Sequence, residues 1–202
     1  MKTLFNEWGF ILSVPLTLMK KIIMLLTLAI AGASDAQTTN APRTWFDAYK
    51  STLETTLFRG MSRIGSLTGQ VRYPVDVRVE RLIISATTNT TYAVAVRTQL
   101  ARNTLQVDYI DYDELDGLIQ GLQLISQSDH GVAPMDDFEV VYRVRSGLSV
   151  AKISNGNNIV IAIKCGDANG TRNQIAPYVL DNLRGLLVAA KSKIDAIVAS
   201  GQ

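Results

Sequence analysis

The chain has 202 residues, of which 47% are hydrophobic and 19% charged, and this length suits a single domain with a real hydrophobic core. The formal net charge of +2 gives no support for strong phosphate binding, which needs clustered excess Lys and Arg. The single cysteine excludes an internal disulfide, so the core must stabilise the fold by itself.

Residues 19–37 (MKKIIMLLTLAIAGASDAQ) have the pattern of an export signal. Two lysines precede an apolar run over residues 22–33, and the small residues Ser34 and Ala36 follow at the positions that a signal peptidase requires. We therefore expect cleavage between Ala36 and Gln37, and an exported mature protein that is periplasmic or secreted.

An uncleaved membrane anchor is the alternative. The apolar run is shorter than the ~20 residues that a spanning helix needs, and polar residues follow it directly. No cysteine lies at the cleavage point, which argues against a lipoprotein. Residues 1–18 place another start upstream of a complete signal, so we interpret Met19 as the true start and residues 1–36 as an upstream extension and signal peptide. If residues 1–18 are translated, residues 10–18 lengthen the apolar run and favour the anchor.

Residues 37–202 form the expected mature domain, and its first element is predicted to be an amphipathic helix over 41–61. Thr44 and Asp47 have the spacing of a capping box, with Asp in place of Glu. Large apolar side chains recur every three or four residues along this segment: Trp45, Phe46, Tyr49, Leu53, Leu57 and Met61.

The hydrophobic spacing then changes to two, which predicts strands over 73–85, 91–100 and 104–109. The spacing returns to that of a helix over 111–126, where leucines and isoleucines share one face.

The same order follows a polar loop over 127–137. Alternating residues predict a strand over 138–145. A strand is also predicted over 148–154 and a buried strand over 159–165, with an Asn-Gly turn between these two. A long helix is predicted over 174–199.

The sequence therefore predicts an α+β fold, in which an N-terminal amphipathic helix precedes two β-β-β-α rounds. We expect the six strands to form one antiparallel sheet with similar halves and with the helices on one face, since three strands cannot cover their own apolar side.

Cys165 and His130 are the only residues of their types. We interpret Cys165, at the end of a predicted strand, as a buried structural thiol; an intermolecular disulfide or a nucleophile are the alternatives. His130 lies in a polar loop and is interpreted as solvated. A Cys–His dyad has no flanking signature to support it.

The densest polar cluster is acidic and consists of Asp108, Asp111, Asp113, Glu114 and Asp116. A calcium loop of the EF-hand type that starts at Asp111 would need Gly where Asp116 stands and Glu where Leu122 stands, so this pattern does not match. We interpret Asp111 as the N-cap of the following helix and Glu114 as its reciprocal partner. A metal site and a partner-binding surface are the alternatives.

Three further patterns are explained by ordinary structure. Residues 166–170 (GDANG) match neither a P-loop nor a dinucleotide-binding loop and are interpreted as a turn. The sequons at Asn89 and Asn169 follow a signal of bacterial type, so we expect no glycosylation there. The tyrosines would form an aromatic platform if they shared one sheet face, but tyrosine is also common in ordinary strands: Tyr73, Tyr92, Tyr109, Tyr112 and Tyr142.

The order of three strands and a helix, given twice between Tyr73 and Ala199, resembles the folds of the Whirly and PUR proteins, which repeat four strands and a helix. The resemblance is one of topology and involves no shared motif. It implies a module that binds single-stranded nucleic acid. The export signal and the near-neutral charge argue against that function, and fold alone does not imply it.

We therefore expect an exported, non-catalytic domain that binds a protein or envelope partner, with no nucleic acid and no stable membrane anchor after cleavage. No catalytic, cofactor-binding or metal-binding residue is assigned, and no cofactor is expected. The alternative is a single-stranded nucleic-acid-binding module, and an enzyme is the third hypothesis.

Overall fold

The computed structural model describes residues 44–52, 55–68, 73–85, 87, 89–99, 105–129, 135–156, 158–166 and 172–201. The expected export signal, its cleavage point, His130 and most of the 166–170 turn lie outside these residues.

The first described element is a short helix, α1 (Trp45–Lys50). Its predicted cap is confirmed, because the Thr44 hydroxyl accepts the backbone N–H of Asp47 at 3.0 Å and donates to the Asp47 carboxylate at 2.9 Å. The predicted helix over 41–61 is wrong beyond Lys50. Leu57–Leu67 is a strand that pairs with the next strand along its whole length, and these ladder hydrogen bonds outweigh the helical spacing of its apolar residues.

Two antiparallel sheets of four strands follow, each with its strands in chain order. Sheet one contains β1 (Leu57–Leu67), β2 (Val75–Ile84), β3 (Thr90–Gln99) and β4 (Leu105–Asp111). Sheet two contains β5 (Asp137–Arg143), β6 (Ser149–Asn155), β7 (Asn158–Lys164) and β8 (Arg172–Ile175).

The coarse α+β class is thus confirmed, but the single sheet of six strands is wrong. Each round has four strands, one more than predicted. The prediction missed β1 because it placed a helix over the first part of that strand, and it missed β8 because it placed a loop and the start of a helix there. The long helix between β4 and β5 separates the rounds, and each round pairs only within itself.

A 3₁₀ turn (Tyr112–Glu114) leads from β4 into helix α2 (Leu115–Gln127), and helix α3 (Val179–Ala199) ends the fold. Both predicted long helices are present. The last one begins later than predicted, since β8 occupies residues 172–175. None of the described helices combines the length and the hydropathy that a membrane crossing needs.

One core lies between the inner faces of both sheets and helices α2 and α3. Its fully buried members come from every one of these layers and include Val77, Val94, Ile110, Leu118, Leu122, Val150, Ile163, Leu187 and Ile194.

A smaller cluster lies on the outer face of sheet one, beneath α1. Phe46 of α1 is completely buried there, and its ring stacks on Tyr109 with the centroids 4.7 Å apart. Helix α1 therefore covers one end of this outer face.

The two sheets meet along one line, which we call the seam. Three contacts define it: the hydroxyl of Thr98 and the thiol of Cys165 lie 3.4 Å apart, the Asp108 carboxylate accepts the Gly166 N–H at 2.5 Å, and the Asn173 side chain bonds both backbone groups of Tyr73 at 2.7 and 3.2 Å. The end of β3, the middle of β4, the end of β7 and the start of β8 thus come together.

Candidate functional site

The outer face of sheet two carries cations on three of its four strands, in one row of the register. The strand register places Arg143, Ser149, Lys164 and Arg172 side by side, one on each strand. Neighbouring strands are about 4.8 Å apart, so three positive side chains lie within about 15 Å. We call these four residues the basic row.

A shallow trough runs beside the basic row. Ala151 and Ala162 are next to each other in the register and form its floor, because their side chains are too short to fill the space above the sheet. Glu139 and Val141 complete the lining on β5, and the trough has a volume of about 390 Å³. This part of the surface therefore offers an open, positively charged groove.

Sheet one has a second basic cluster at the end of its outer face that α1 leaves open. Asp76 lies between two guanidinium groups, at 2.8 Å from Arg63 and 2.7 Å from Arg78. Arg97 is the register partner of Asp76 on β3. These residues line a groove of about 480 Å³, in which the described arginines outnumber the single carboxylate by two.

The two clusters share part of their placement in the two rounds. Each has a cation on the first strand, Arg63 or Arg143, and one near the end of the third strand, Arg97 or Lys164. In both sheets it is the end of the third strand that approaches the seam. Sequence reasoning missed this arrangement, because the cations are isolated along the chain and become neighbours only through strand pairing.

The chemistry of such a surface is anion binding. A guanidinium group offers N–H donors in a planar fork that matches carboxylate, sulfate or phosphate oxygens, and hydrogen bonds between charged partners are about twice as strong as neutral ones. Within the described part of the chain, Arg143 and Arg172 have no carboxylate at ion-pair distance, whereas the nearby Arg145 lies close to three.

The predicted burial of Cys165 is confirmed, as its side chain is 1% exposed. Burial raises the pKa of the thiol to about 12, the hydrogen bond with Thr98 opposes this shift, and the charge of Asp108 adds to it. The thiol therefore stays protonated at neutral pH, which is the state of an inert structural cysteine.

We expect Cys165 in the native protein to react with a thiol reagent at pH 8 at least about a thousandfold more slowly than an exposed cysteine, since the pKa of a free thiol is about 8.5. The measurement is the labelling rate of the native protein against that of the same protein in denaturant. Equal rates in the two conditions would contradict the buried, protonated thiol.

Each acid of the predicted cluster contacts a protein group. Asp111 was predicted to cap its own helix, but it caps α1 instead: its carboxylate accepts the N–H groups of Trp45 and Phe46 at 2.7 and 3.1 Å. Glu114 accepts the N–H of Arg145, and Asp108 belongs to the seam. Asp111, Asp113 and Glu114 all pair with Arg145, whereas Asp116 lies 3.8 Å from Lys191 of α3. Among the described residues, no group of three or more His, Cys, Asp or Glu is placed to hold a metal ion.

The tyrosines do not form a platform on an outer sheet face. Tyr142 packs on the main core against α2, and Tyr109 is covered by α1. Tyr92 and Tyr112 line a groove of about 470 Å³ together with Trp45 and Tyr49. The charged side chains of that groove's described lining are Asp111 and Asp113. Two cations also approach its rings, Arg81 at 5.9 Å from the centre of Tyr92 and Lys191 at 5.3 Å from the centre of Tyr112.

Comparison with known proteins adds little. No protein-family model matches the chain, and no curated protein matches it. Among solved structures, a chain from work on SsgB, whose mutations correlate with longitudinal cell division during sporulation of Streptomyces coelicolor, is 13% identical. That match covers 71% of this chain and 92% of the other, with a TM-score of 0.25, and it says nothing of this chain's function.

Proposed function

We propose that this chain is an exported, non-catalytic domain that binds an anionic partner in the cell envelope. The observation that carries the proposal is the basic row on the open face of sheet two, where strand pairing gathers Arg143, Lys164 and Arg172 beside an unfilled trough. Cys165, which the sequence left open as a nucleophile only as an alternative, is buried and protonated and so does not supply one.

The export part rests on the sequence of residues 19–37. We expect the protein recovered from outside the cytoplasm to begin at Gln37, because Ser34 and Ala36 provide the small side chains before the cut. The intact mass decides this. A mature protein that still contains residues 22–33 would contradict the signal and favour an anchor.

The binding part is tested by sedimentation of the exported protein with envelopes isolated from the cells that make it. We expect Arg143→Gln with Arg172→Gln to weaken binding about tenfold or more, since each charge-assisted hydrogen bond contributes about 1.5–3 kcal/mol. The matched control removes two cations from helix α3, by Arg184→Gln with Lys193→Gln, and should bind as the wild type does. Equal binding by all three proteins would remove the basis of the proposal.

A second candidate is the single-stranded nucleic-acid-binding module. The observation in its favour is the order of four strands and a helix, given twice, which is the order that the Whirly and PUR proteins repeat. Against it stand the rings themselves: such modules stack bases on open aromatic faces within a basic groove, whereas here Arg81 and Lys191 already lie over the rings of Tyr92 and Tyr112, and the charged residues of the described lining are acids.

A further inference from the structure

We propose that two copies of this chain pair through the free edge of β5 and form a symmetric dimer, in which sheet two of each copy joins the other in one continuous sheet. Such a dimer is independent of the proposed function. Two features of β5 support it, the open backbone of its edge and the order of the side chains along it.

The free edge of β5 has open backbone groups. β5 is the first strand in the order of sheet two and pairs with β6 alone. The Val144 N–H donates to the Leu148 carbonyl at 3.0 Å, so the backbone groups of Val144 point towards β6. Because this direction alternates along a strand, those of Glu139, Val141 and Arg143 point away from β6. In the described part of the chain these outward groups make no hydrogen bond.

Such an edge is a template for another strand, because each open N–H and C=O group can bond to a second chain. The edge is also accessible, since Glu139 and Arg143 are exposed and Val141, between them, is 37% exposed. All three side chains lie on the outer face of the sheet, where they line the trough.

The side chains along β5 are complementary to those of a second β5 that runs antiparallel to it. A two-fold axis through Val141 places Glu139 opposite the partner's Arg143, and by symmetry Arg143 opposite the partner's Glu139. The two Val141 side chains then meet at the axis. All of these positions have outward backbone groups, so about six backbone hydrogen bonds form, and opposite charges directly across a strand pair stabilise it.

The charges that this register pairs are those that the fold leaves without a partner. Among the described residues, neither Glu139 nor Arg143 has an opposite charge at ion-pair distance. Asp137 at the start of β5 differs, because its carboxylate already accepts the Gly156 N–H at 2.9 Å. A register shifted by two residues would place Glu139 opposite Val141 and leave its charge unpaired, which favours the register through Val141.

The corresponding edge of sheet one lacks these features. The Ser85 N–H donates to the Thr56 carbonyl at 3.0 Å, so the alternation directs the backbone groups of Arg59 and Arg63 outwards from β1. A bulge also interrupts the register between Arg63 and Gly65. Cations and bulges protect a strand edge from pairing, whereas the register of β5 is unbroken and its edge has one charge of each sign at these positions.

The dimer brings both troughs onto one surface, because residues directly opposite each other in an antiparallel pair share a face of the sheet. Lys164 and Arg172 lie on β7 and β8, away from the axis. The interface therefore uses Arg143 and leaves the other two cations of each basic row on the open face.

Sedimentation equilibrium of the full exported protein, over about two orders of magnitude in concentration, measures the dimer. The variants are Glu139→Arg and Arg143→Glu alone, the double variant, and an equal mixture of the two single variants. The matched control is Lys193→Glu, a charge reversal at an exposed position of α3. Thermal melting checks that each variant is folded.

We expect the wild type and the control to dimerise with equal affinity. Each single variant brings like charges together at both pairs, so its dimer dissociation constant should rise about tenfold or more. The double variant exchanges the two charges and should regain the wild-type affinity. The mixture should regain it too, because one single variant has arginine at both positions and the other has glutamate at both.

Three results would contradict the dimer as described. A wild type that stays monomeric at the highest concentration would overturn it outright. Single variants that dimerise as tightly as the wild type would mean that another surface forms the interface. Impaired single variants that neither the mixture nor the double variant rescues would overturn the two-fold register through Val141. Sedimentation with envelopes tests the proposed function separately, and none of these masses bears on it.

Discussion

Gly121→Ala is expected to destabilise the protein by about 2–3 kcal/mol, the cost of overpacking a close contact, although alanine is normally the better helix former. Gly121 lies in α2, where the ring of Tyr142 from β5 packs directly on the helix backbone. An added Cβ would stand 2.7 Å from both Cγ and Cε2 of that ring, and closer still to Cδ2. Urea unfolding of both proteins measures the difference.

The matched control is Gly185→Ala in α3, since a Cβ at that position meets no atom within 4 Å. There the ordinary helix preference should act alone and raise the free energy of unfolding by up to about 1 kcal/mol. Tyr142→Ala should remove most of the penalty of Gly121→Ala in the double variant, because alanine lacks the Cγ, Cδ2 and Cε2 atoms that cause the clash. Equal stability of Gly121→Ala and the wild type would show that Tyr142 does not pack as described.

Asp111→Ala is expected to lower the free energy of unfolding by about 2–4 kcal/mol, which is the range for leaving buried donors without a partner. The Asp111 carboxylate accepts two backbone N–H groups at the start of α1 and lies 3.4 Å from Arg145. Without this carboxylate, α1 loses its hydrogen bonds to β4, and the stacking of Phe46 on Tyr109 is weakened. Denaturant unfolding measures the loss, and an unchanged midpoint would contradict this role.

The same carboxyl predicts a pH dependence. Burial raises the pKa of Asp111 above its ordinary value, and the N–H groups of Trp45 and Phe46 and the charge of Arg145 oppose this only in part. The folded protein therefore holds this proton more tightly than the unfolded chain, so the contribution of the group to stability is full below about pH 4 and is lost as the pH rises through the raised value.

Asp111→Asn tests the sign of this effect, since the amide does not titrate. We expect the stability of the wild type relative to this variant to be greatest at low pH and to decrease as the pH is raised to 7. A relative stability that increases with pH would mean that the ionised carboxylate is favoured by folding, and would overturn the assignment.

The elements that the sequence predicted well are those in which local pattern and tertiary environment agree. The side chains of β2 and β5 alternate because one face of each strand lies on the core, and both long helices have an apolar stripe for the same reason. The Thr44–Asp47 cap is likewise local, since donor and acceptor are three residues apart.

The elements that the sequence did not predict are those whose conformation depends on a partner far away along the chain. The segment Leu57–Leu67 has apolar residues at helical spacing, and it is a strand because β2 offers a full edge of hydrogen bonds. The four residues of β8 are too short to show a period, and they pair because β7 lies beside them. Asp111 had the right spacing for its own helix, but the buried N–H groups of α1 bind it instead.

By itself the sequence determined the α+β class, the positions of six strands and two long helices, and the burial of Cys165, because local hydrophobic period reports which residues face a core. Only the tertiary structure decided that there are two sheets and that the cations gather on their outer faces. The net charge of +2 does not say where the charged residues lie in the fold. Strand register brings Arg143, Lys164 and Arg172 into one row although they are far apart along the chain.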